Sequence, residues 1–337
     1  MTGRFAFLSA WPLVVLAACL PAPAQAQTDY SAYGVLDLSY GRFEPSGSYR
    51  EHRINSNSLT ASFVGVNAKH GFEGGWTPGI TLETFLRFQD GKVGRNDNDR
   101  FLSRNNFVSL ASDYGSMRVG RLQSYLFEAT TRFNAFGNSI SFSPALRHIF
   151  LSGGLEGVQG DFYWDRAVSY TTPRWEGVTG NVMYALGRND QRGDYAGASV
   201  VVSRGLLAVS LAAQRVHVND GIADETDETT FQLGATYNFG LARVFGQYTF
   251  IRDEGQDVRS RSSTAGVTVP LGQGNVLAQM AYTTASGPAV DRKHTTVSLG
   301  YVYDYDSVTN IYVLGSDDRV RRQTRGTSFA VGVRYTF

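Results

Sequence analysis

The sequence has little cysteine, proline or lysine, and no long apolar run beyond its first residues. The one cysteine is Cys19, so everything after it can form no disulfide and no thiolate metal site. Beyond residue 27, no apolar stretch reaches the roughly 20 residues that a membrane-spanning helix needs. These absences exclude a disulfide-stapled domain and a helical membrane protein.

What is abundant is glycine, at 37 residues, and tyrosine with phenylalanine, at 39 together, against 9 prolines. This composition favours one large all-β domain over two ordinary soluble domains. Only Lys69, Lys92 and Lys293 are lysines, so arginine carries almost all the positive charge. Arginine keeps its charge and its planar geometry, which suits a lined polar site.

The first 26 residues have the features of a signal peptide. A basic residue, Arg4, precedes an apolar core, and Ala24-Gln25-Ala26 forms a small-residue cleavage site. We expect the mature chain to begin at Gln27; lipidation at Cys19 is the alternative. Cleavage leaves 30 basic and 30 acidic residues, and this balance argues against nucleic-acid binding.

Period-two alternation of apolar and polar residues recurs through residues 27–337, which predicts β-strands. Most segments have about 10–13 residues, and aromatics gather near the ends of several, as in a transmembrane β-barrel. Short and long connections alternate along the chain. We count about sixteen segments, near 30–42, 58–71, 78–89, 100–112, 115–122, 164–173, 177–188, 194–204, 206–217, 228–239, 241–253, 260–270, 274–286, 292–303, 307–315 and 326–337.

Sixteen antiparallel strands would leave an aqueous channel, with the apolar face toward lipid and the polar face toward the lumen. An even number lets Phe337, the last residue, lie beside the first strand and close the barrel. One connection, residues 123–163, is far longer than a hairpin loop. Because it is rich in aromatics, we expect it to fold into the lumen; a surface or oligomer-contact loop is the alternative.

Several short motifs, taken in order, resemble the Gram-negative general porin family over the whole mature chain. The first is Tyr33-Gly34-Val35-Leu36-Asp37; the second runs from Phe101 to Leu110 and continues to Val119-Gly120-Arg121. Arg166-Ala167-Val168-Ser169-Tyr170 and the terminal phenylalanine complete the series. The resemblance implies an outer-membrane homotrimer, embedded in lipid and lipopolysaccharide, through which small hydrophilic solutes and ions diffuse without a cofactor.

In that family the third loop narrows each pore between a basic wall and an acidic loop. Residue by residue, the resemblance places Arg104 and Arg166 on the basic wall, with Arg121 at the foot of the loop. Strand parity adds Arg87 to the basic side and predicts that Asp37 and Glu83 face the lumen. The loop acids are Glu128, Glu156 and Asp161, and we place Glu128 with Asp37 and Glu83 on the acidic side of the constriction.

The chain departs from the family pattern in two places. Phe63 occupies a position where many relatives carry another wall arginine, and the loop lacks the Pro-Glu-Phe-Gly-Gly signature. Loop acids are few, so an arginine-biased constriction predicts a preference for anions.

Three other functions stay open. A substrate-specific channel for sugars or organic anions would use an aromatic track of Tyr125, Phe127, Phe133 and Phe136. An adhesive barrel would bind partners through its long loops. A barrel enzyme would need a Ser-His-acid set, for which His294 is the candidate; otherwise the histidines lack metal-ligand spacing and no catalytic motif is present.

Overall fold

Strands make up most of the chain. The computed structural model describes residues 28–152, 157–187, 192–218 and 226–337; the predicted signal peptide, residues 1–26, lies outside them. The eighteen strands of the described residues are β1 Thr28–Phe43, β2 Glu51–Asn55, β3 Phe63–His70, β4 Thr77–Arg87, β5 Lys92–Val93, β6 Asn106–Ser112, β7 Gly115–Gln123, β8 Tyr163–Thr171, β9 Val178–Ala185, β10 Arg192–Arg204, β11 Leu207–Val218, β12 Thr226–Asn238, β13 Arg243–Asp253, β14 Val258–Leu271, β15 Gly274–Gly287, β16 Val290–Asp304, β17 Thr309–Val320 and β18 Gly326–Thr336.

The strands form one closed antiparallel sheet. β1 pairs with β18 over eight residue pairs, from Val35↔Thr336 to Arg42↔Phe329. Beyond that ladder, the Gly34 amide donates to the Phe337 carbonyl at 3.0 Å, and the Phe337 amide donates back at 3.2 Å. The last residue therefore lies at the seam, and the sheet has no free edge there.

In two places, a pair of short strands occupies the position of one barrel strand. β2 and β3 both pair with β1, and β5 and β6 both pair with β4. Counting each pair once gives a sixteen-strand barrel, which confirms the predicted number.

The predicted starts of two strands are wrong. Segments 58–71 and 100–112 were expected to be strand throughout, but β3 begins at Phe63 and β6 at Asn106. In the first case, side chains replace the ladder hydrogen bonds, since Asp37 accepts the amides of Ser58 and Thr60. These hydrogen bonds satisfy backbone amides that have no partner strand, so the backbone can be irregular here. Alternation in the sequence does not predict this.

The two faces of the barrel differ in the way that alternation predicts. Leu233 and Val297 are examples of the apolar face, which is exposed, whereas Gln232 and Thr296 belong to the polar face, which is buried. An exposed apolar face on a closed barrel is the lipid-facing one, so the polar face lines the interior. No helix in the described ranges has the length and apolar character needed to cross a membrane.

The two ends of the barrel carry different connections. Residues 113–114, 205–206 and 272–273 form tight turns at the end of the barrel where β1 begins and β18 ends. The opposite end carries the segment between β7 and β8, residues 124–162. Short turns at one end and a long connection at the other are typical of barrels that insert into a membrane in one direction.

Candidate functional site

The segment between β7 and β8 begins with helix α1 (Tyr125–Arg132), followed by a short helix α2 (Pro144–Leu146) and a π-helical turn (Arg147–Leu151). Ser124 caps α1, because its Oγ accepts the Phe127 amide at 3.3 Å. Satisfying this amide fixes where the helix starts. α1 is too short to be stable by itself, so its packing on the barrel must hold it.

α1 packs against the polar face of β12 and β13. Gln232 Nε2 donates to Thr130 Oγ1 at 2.9 Å, and Gln247 Nε2 donates to the Thr130 carbonyl at 2.9 Å. Next to them, Phe133 is fully buried and fills the space beside Gly234, where an added Cβ would come within 2.9 Å of the ring.

Further along, the segment contacts the polar side of the β1–β3 region. Ser139 Oγ donates to the Ser58 carbonyl, and Asn55 Nδ2 donates to Ser141 Oγ at 3.1 Å. Phe142 packs against Phe43 with ring centroids 6.0 Å apart. The segment thus touches strands that lie far apart around the barrel.

A stacked pair of histidines joins the segment to β15 and β16. His148 of the π-helical turn stacks on His294 of β16, with ring centroids 3.9 Å apart and an interplanar angle of 16°. His148 Nδ1 lies 2.7 Å from Thr283 Oγ1, and its Nε2 lies 2.8 Å from Thr296 Oγ1. Both rings are almost completely buried.

His294 also contacts a serine and an acid, as the hypothesis of a barrel enzyme required. Its Nδ1 lies 2.9 Å from Ser152 Oγ and its Nε2 lies 2.6 Å from Asp318 Oδ1. The imidazole is only 2% exposed, because His148 covers it. His148, His294 and Asp318 are also close enough together to share a metal ion. The ring nitrogens of both histidines already contact hydroxyl or carboxylate groups. We therefore interpret the cluster as a hydrogen-bonded contact that holds the segment to the barrel wall.

Acid should weaken this contact between the segment and the barrel wall. Burial, with His294 and Arg147 nearby, holds the pKa of His148 well below its usual range, although Asp318 opposes the shift. The unfolded chain takes up a proton near pH 6.5 and the folded chain only at lower pH. Stability therefore falls as pH drops below about 6.5, by about 1.4 kcal/mol for each pKa unit of depression.

We expect His148→Gln to flatten the pH dependence of unfolding between pH 7.5 and 4.5, measured by thermal melts of the lipid-embedded protein. His52→Gln, at an exposed position of β2, is the matched control and should leave the dependence unchanged. An equal pH dependence in wild type and His148→Gln would contradict the assignment.

The structure places three of the four sequence-predicted arginines in ion pairs. Arg87 lies 2.5 Å from Asp97 and 3.3 Å from Asp90. Arg104 pairs with Glu83. Arg121 lies 2.7 Å from Asp165 and 3.9 Å from Asp161. Each positive charge is therefore offset by an adjacent carboxylate.

Arg166 lies at an irregularity between β7 and β8. The pairing shifts from Gly120↔Ala167 to Leu122↔Trp164, so two residues of β8 face one of β7. Arg166 has φ +52°, in the left-handed region, and its side chain is exposed. A bulge interrupts the alternation of strand faces at this point, and the placement of Arg166 on the basic wall, which comes from the resemblance, stays a prediction.

The predicted acids fall into two environments. Asp37 has no exposed surface, and its carboxylate accepts hydrogen bonds from the wall itself, so it offers no charge to a solute. Glu83 is 5% exposed and is occupied by Arg104. Glu128 is exposed on α1 and lines two adjoining cavities. Of the three, Glu128 is the exposed residue.

The proposed aromatic track for sugars does not face the channel. Tyr125, Phe127, Phe133 and Phe136 are 4%, 6%, 0% and 2% exposed. Their rings are used in packing the segment onto the wall and cannot stack on a passing solute.

Three adjoining cavities follow the polar face below the segment, with volumes of about 540, 230 and 690 Å³. They share lining residues such as Arg132 and Arg118. Their lining includes six cations that have no carboxylate within 4 Å among the described residues, which we call the lumen cations: Lys69, Arg118, Arg132, Arg174, Arg243 and Arg334.

Few acids accompany the lumen cations. The lining carboxylates are Glu128, Asp304 and Glu83, and the last is neutralised by Arg104. The sequence analysis did not predict the lumen cations, although the alternation of strand faces indicates that some of them lie on the polar face. Arg118 stands between Met117 and Val119, which are exposed on the apolar face, so its own side chain belongs to the polar face.

A closed barrel with an apolar outside and a charged, cavity-containing inside defines a transmembrane channel. A profile of the Gram-negative porin family matches residues 13–323. The chain belongs to this family: it is an outer-membrane porin that forms a channel for solutes.

Individual proteins agree with this. Outer membrane porin protein 32 of Delftia acidovorans is 28% identical over 312 residues, which cover 89% of this chain and 86% of that protein. A solved structure described as an anion-selective porin from Comamonas acidovorans has the same fold, with a TM-score of 0.80 at 23% identity, covering 92% of this chain and 100% of that one. A trimer form of OmpT, an outer membrane protein of Vibrio cholerae, gives a TM-score of 0.71 at 16% identity, covering 92% and 99%.

Proposed function

We propose that the protein is a passive diffusion channel for small hydrophilic solutes that prefers anions. The observation that carries this proposal is the set of lumen cations, which outnumber the acids of the same cavities. Charges of one sign that line a narrow, low-dielectric passage raise the local concentration of counter-ions and set ion preference. The likeness to a structure described as an anion-selective porin supports the same conclusion.

We also propose that the described residues between β7 and β8, 124–152 and 157–162, cross the lumen and narrow it. The segment bonds to β12 and β13 through Thr130, and to the β1–β3 region through Ser139 and Ser141. In a closed barrel, a single segment of this length can reach both regions only from the inside. Glu128 and Arg132 of α1 would then border the open passage together with the lumen cations of the wall.

Ion selectivity tests the first proposal. We expect wild-type channels in planar bilayers under a KCl gradient to give a reversal potential that favours chloride. Replacing Arg118, Arg132 and Arg243 together by glutamine should lower the chloride-to-potassium permeability ratio by a factor of about three or more. Arg334 is left in place, because it donates to Asn310 and Thr60 and so also holds the wall.

The matched control removes three arginines that line none of the three cavities, with Arg50, Arg100 and Arg204 changed to glutamine. This variant should keep the wild-type reversal potential. A wild-type preference for potassium, or an equal change in both triple variants, would contradict the proposal.

The remaining expectations follow the same assignment. We propose a homotrimer, as in the OmpT trimer form. We also propose that the protein is a channel and not an enzyme. The burial of His294 beneath His148 supports this, because the imidazole cannot reach a substrate.

A further inference from the structure

One of the three cavities is bordered by charges of both signs that do not pair with each other. It has a volume of about 230 Å³ and lies between α1 and the wall of β7 to β10; we call it the α1 pocket. Arg118 of β7, Arg132 of α1 and Arg174, which follows β8, supply three positive charges. Glu128 of α1 supplies the carboxylate, and none of the three arginines lies within 4 Å of it or of another described carboxylate.

Two of these arginines converge on one residue of the wall. Arg132 Nη2 donates to Ser203 Oγ at 3.2 Å, and Arg174 Nη2 donates to the Ser203 carbonyl at 3.2 Å. Glu176, the acid closest to Arg174 in the sequence, instead lies 3.6 Å from Arg204. Two positive charges that meet in this way repel each other. An anion held between them would replace this repulsion by two attractions.

Glu128 is the exposed residue of an otherwise buried stretch of α1. From Ser124 to Thr130 the other side chains are buried, whereas Glu128 is exposed and lines the pocket. Arg132 is four residues further along the helix, a spacing at which glutamate and arginine commonly pair. Here Arg132 reaches to the wall instead, so neither charge neutralises the other.

The size and the charge balance of the α1 pocket limit what it can hold. A volume of about 230 Å³ is below the roughly 300–1,000 Å³ of pockets for drug-sized ligands, so the pocket suits a solute of a few carbon atoms. Three cations against one carboxylate favour a solute that carries more negative than positive charge. The carboxylate nevertheless disfavours a solute with negative charge alone, since one part of the solute would then lie beside a like charge.

We propose that the α1 pocket binds acidic amino acids, with carboxylates against Arg132 and Arg174 and the ammonium group against Glu128. Guanidinium groups bind carboxylates through charge-assisted hydrogen bonds, and a carboxylate binds an ammonium group in the same way. L-Glutamate has this combination of charges, with two carboxylates and one ammonium group. The proposal rests on the diffusion channel proposed above, through which the solute reaches the pocket, and it adds a class of solute.

Equilibrium binding can separate recognition of the two kinds of charged group. Isothermal titration calorimetry of the detergent-solubilised full-length porin would compare L-glutamate with glutarate, which has both carboxylates but no ammonium group. The arginine variant carries Arg132→Gln and Arg174→Gln, and the acid variant carries Glu128→Gln. Circular dichroism of each variant checks that its strand content equals that of wild type.

We expect wild type to bind glutamate more tightly than glutarate. The arginine variant should bind both solutes more weakly by about fivefold or more, because charge-assisted hydrogen bonds to the carboxylates are lost. The acid variant should bind glutamate more weakly by about fivefold. It should bind glutarate at least as tightly as wild type, since it has lost a repulsive charge.

Two control variants change the same charges at exposed positions that line none of the three cavities: Arg50→Gln/Arg100→Gln and Glu254→Gln. Both should bind glutamate as wild type does. The proposal is overturned if wild type binds neither solute, if the arginine variant binds as wild type does, or if the acid variant loses equal affinity for glutamate and glutarate. Calorimetry measures no ion flow, so a failure of the proposed anion preference would be detected separately, in the reversal potential.

Discussion

Replacing Arg104 by alanine is expected to lower the free energy of unfolding by about 3–5 kcal/mol. Arg104 pairs with Glu83, and the two side chains are 14% and 6% exposed. The Glu83 carboxylate also accepts from Tyr33 Oη at 2.6 Å and from the Asn105 amide at 3.3 Å. Removing the guanidinium leaves a buried carboxylate with hydrogen bonds but no compensating charge, which is the costly way to break such a pair.

An aromatic contact adds to the cost. The Arg104 guanidinium carbon lies 3.7 Å from the centre of the Phe63 ring. A cation over an aromatic face contributes about 0.5–2 kcal/mol, more when the pair is shielded from water. Phe63 is the residue that departs from the family pattern. In this chain its ring stacks on Arg104, whereas an arginine at this position would add another positive charge.

Guanidinium titration in phospholipid bilayers, followed by tryptophan fluorescence, would measure the loss. The double variant Glu83→Gln/Arg104→Ala should recover part of it, because no buried charge is then left unpaired. Arg50→Ala is the control for an exposed pair: Arg50 lies 3.0 Å from Glu44 and is 56% exposed, so the change should cost no more than about 1 kcal/mol. A loss of less than about 1 kcal/mol for Arg104→Ala would show that the pair is not the buried one described here.

Alternation in the sequence was sufficient to predict the barrel, because successive side chains of a spanning strand point in turn to lipid and to the interior. Residues 229–239 illustrate this: Phe231 and Leu233 are exposed, while Thr230 and Gln232 are buried. The same alternation predicts the number of strands and the closure of the barrel at Phe337. It fails at Ser58 and Thr60, where a carboxylate from another strand replaces the ladder and no local pattern signals the change.

The candidate site was harder to predict, because charge pairing depends on residues that are distant in the sequence. Parity correctly indicates that Glu83 lies on the polar face, but not that Arg104 neutralises it. The bulge at Arg166 becomes visible only when the pairing of β7 with β8 is known. The contact between His148 and His294 joins residues far apart in the chain, and neither has a local signature.

Asp37 of β1 is a buried acid whose role depends on its hydrogen-bond partners. Alternation predicts that Asp37 lies on the polar face of β1, which the burial of Asp37 beside exposed Leu38 supports, but it does not predict what the carboxylate binds. It accepts from the Ser58 amide at 3.0 Å, the Thr60 amide at 3.1 Å and Tyr312 Oη at 2.8 Å. It therefore organises the irregular backbone between β2 and β3.

Asp37→Ala is expected to lower the free energy of unfolding by about 3 kcal/mol or more, because three buried donors lose their acceptor and each costs about 1–3 kcal/mol. Asp304→Ala is the matched control, since Asp304 is an exposed acid in the cavity that Arg132, Arg243 and Arg334 also line. That change should leave stability within about 0.5 kcal/mol and shift the reversal potential further toward chloride. Guanidinium titration and bilayer recordings on the same two variants separate the roles. If Asp37→Ala unfolded like wild type and shifted the reversal potential as Asp304→Ala does, Asp37 would be a lumen acid, as alternation alone predicts.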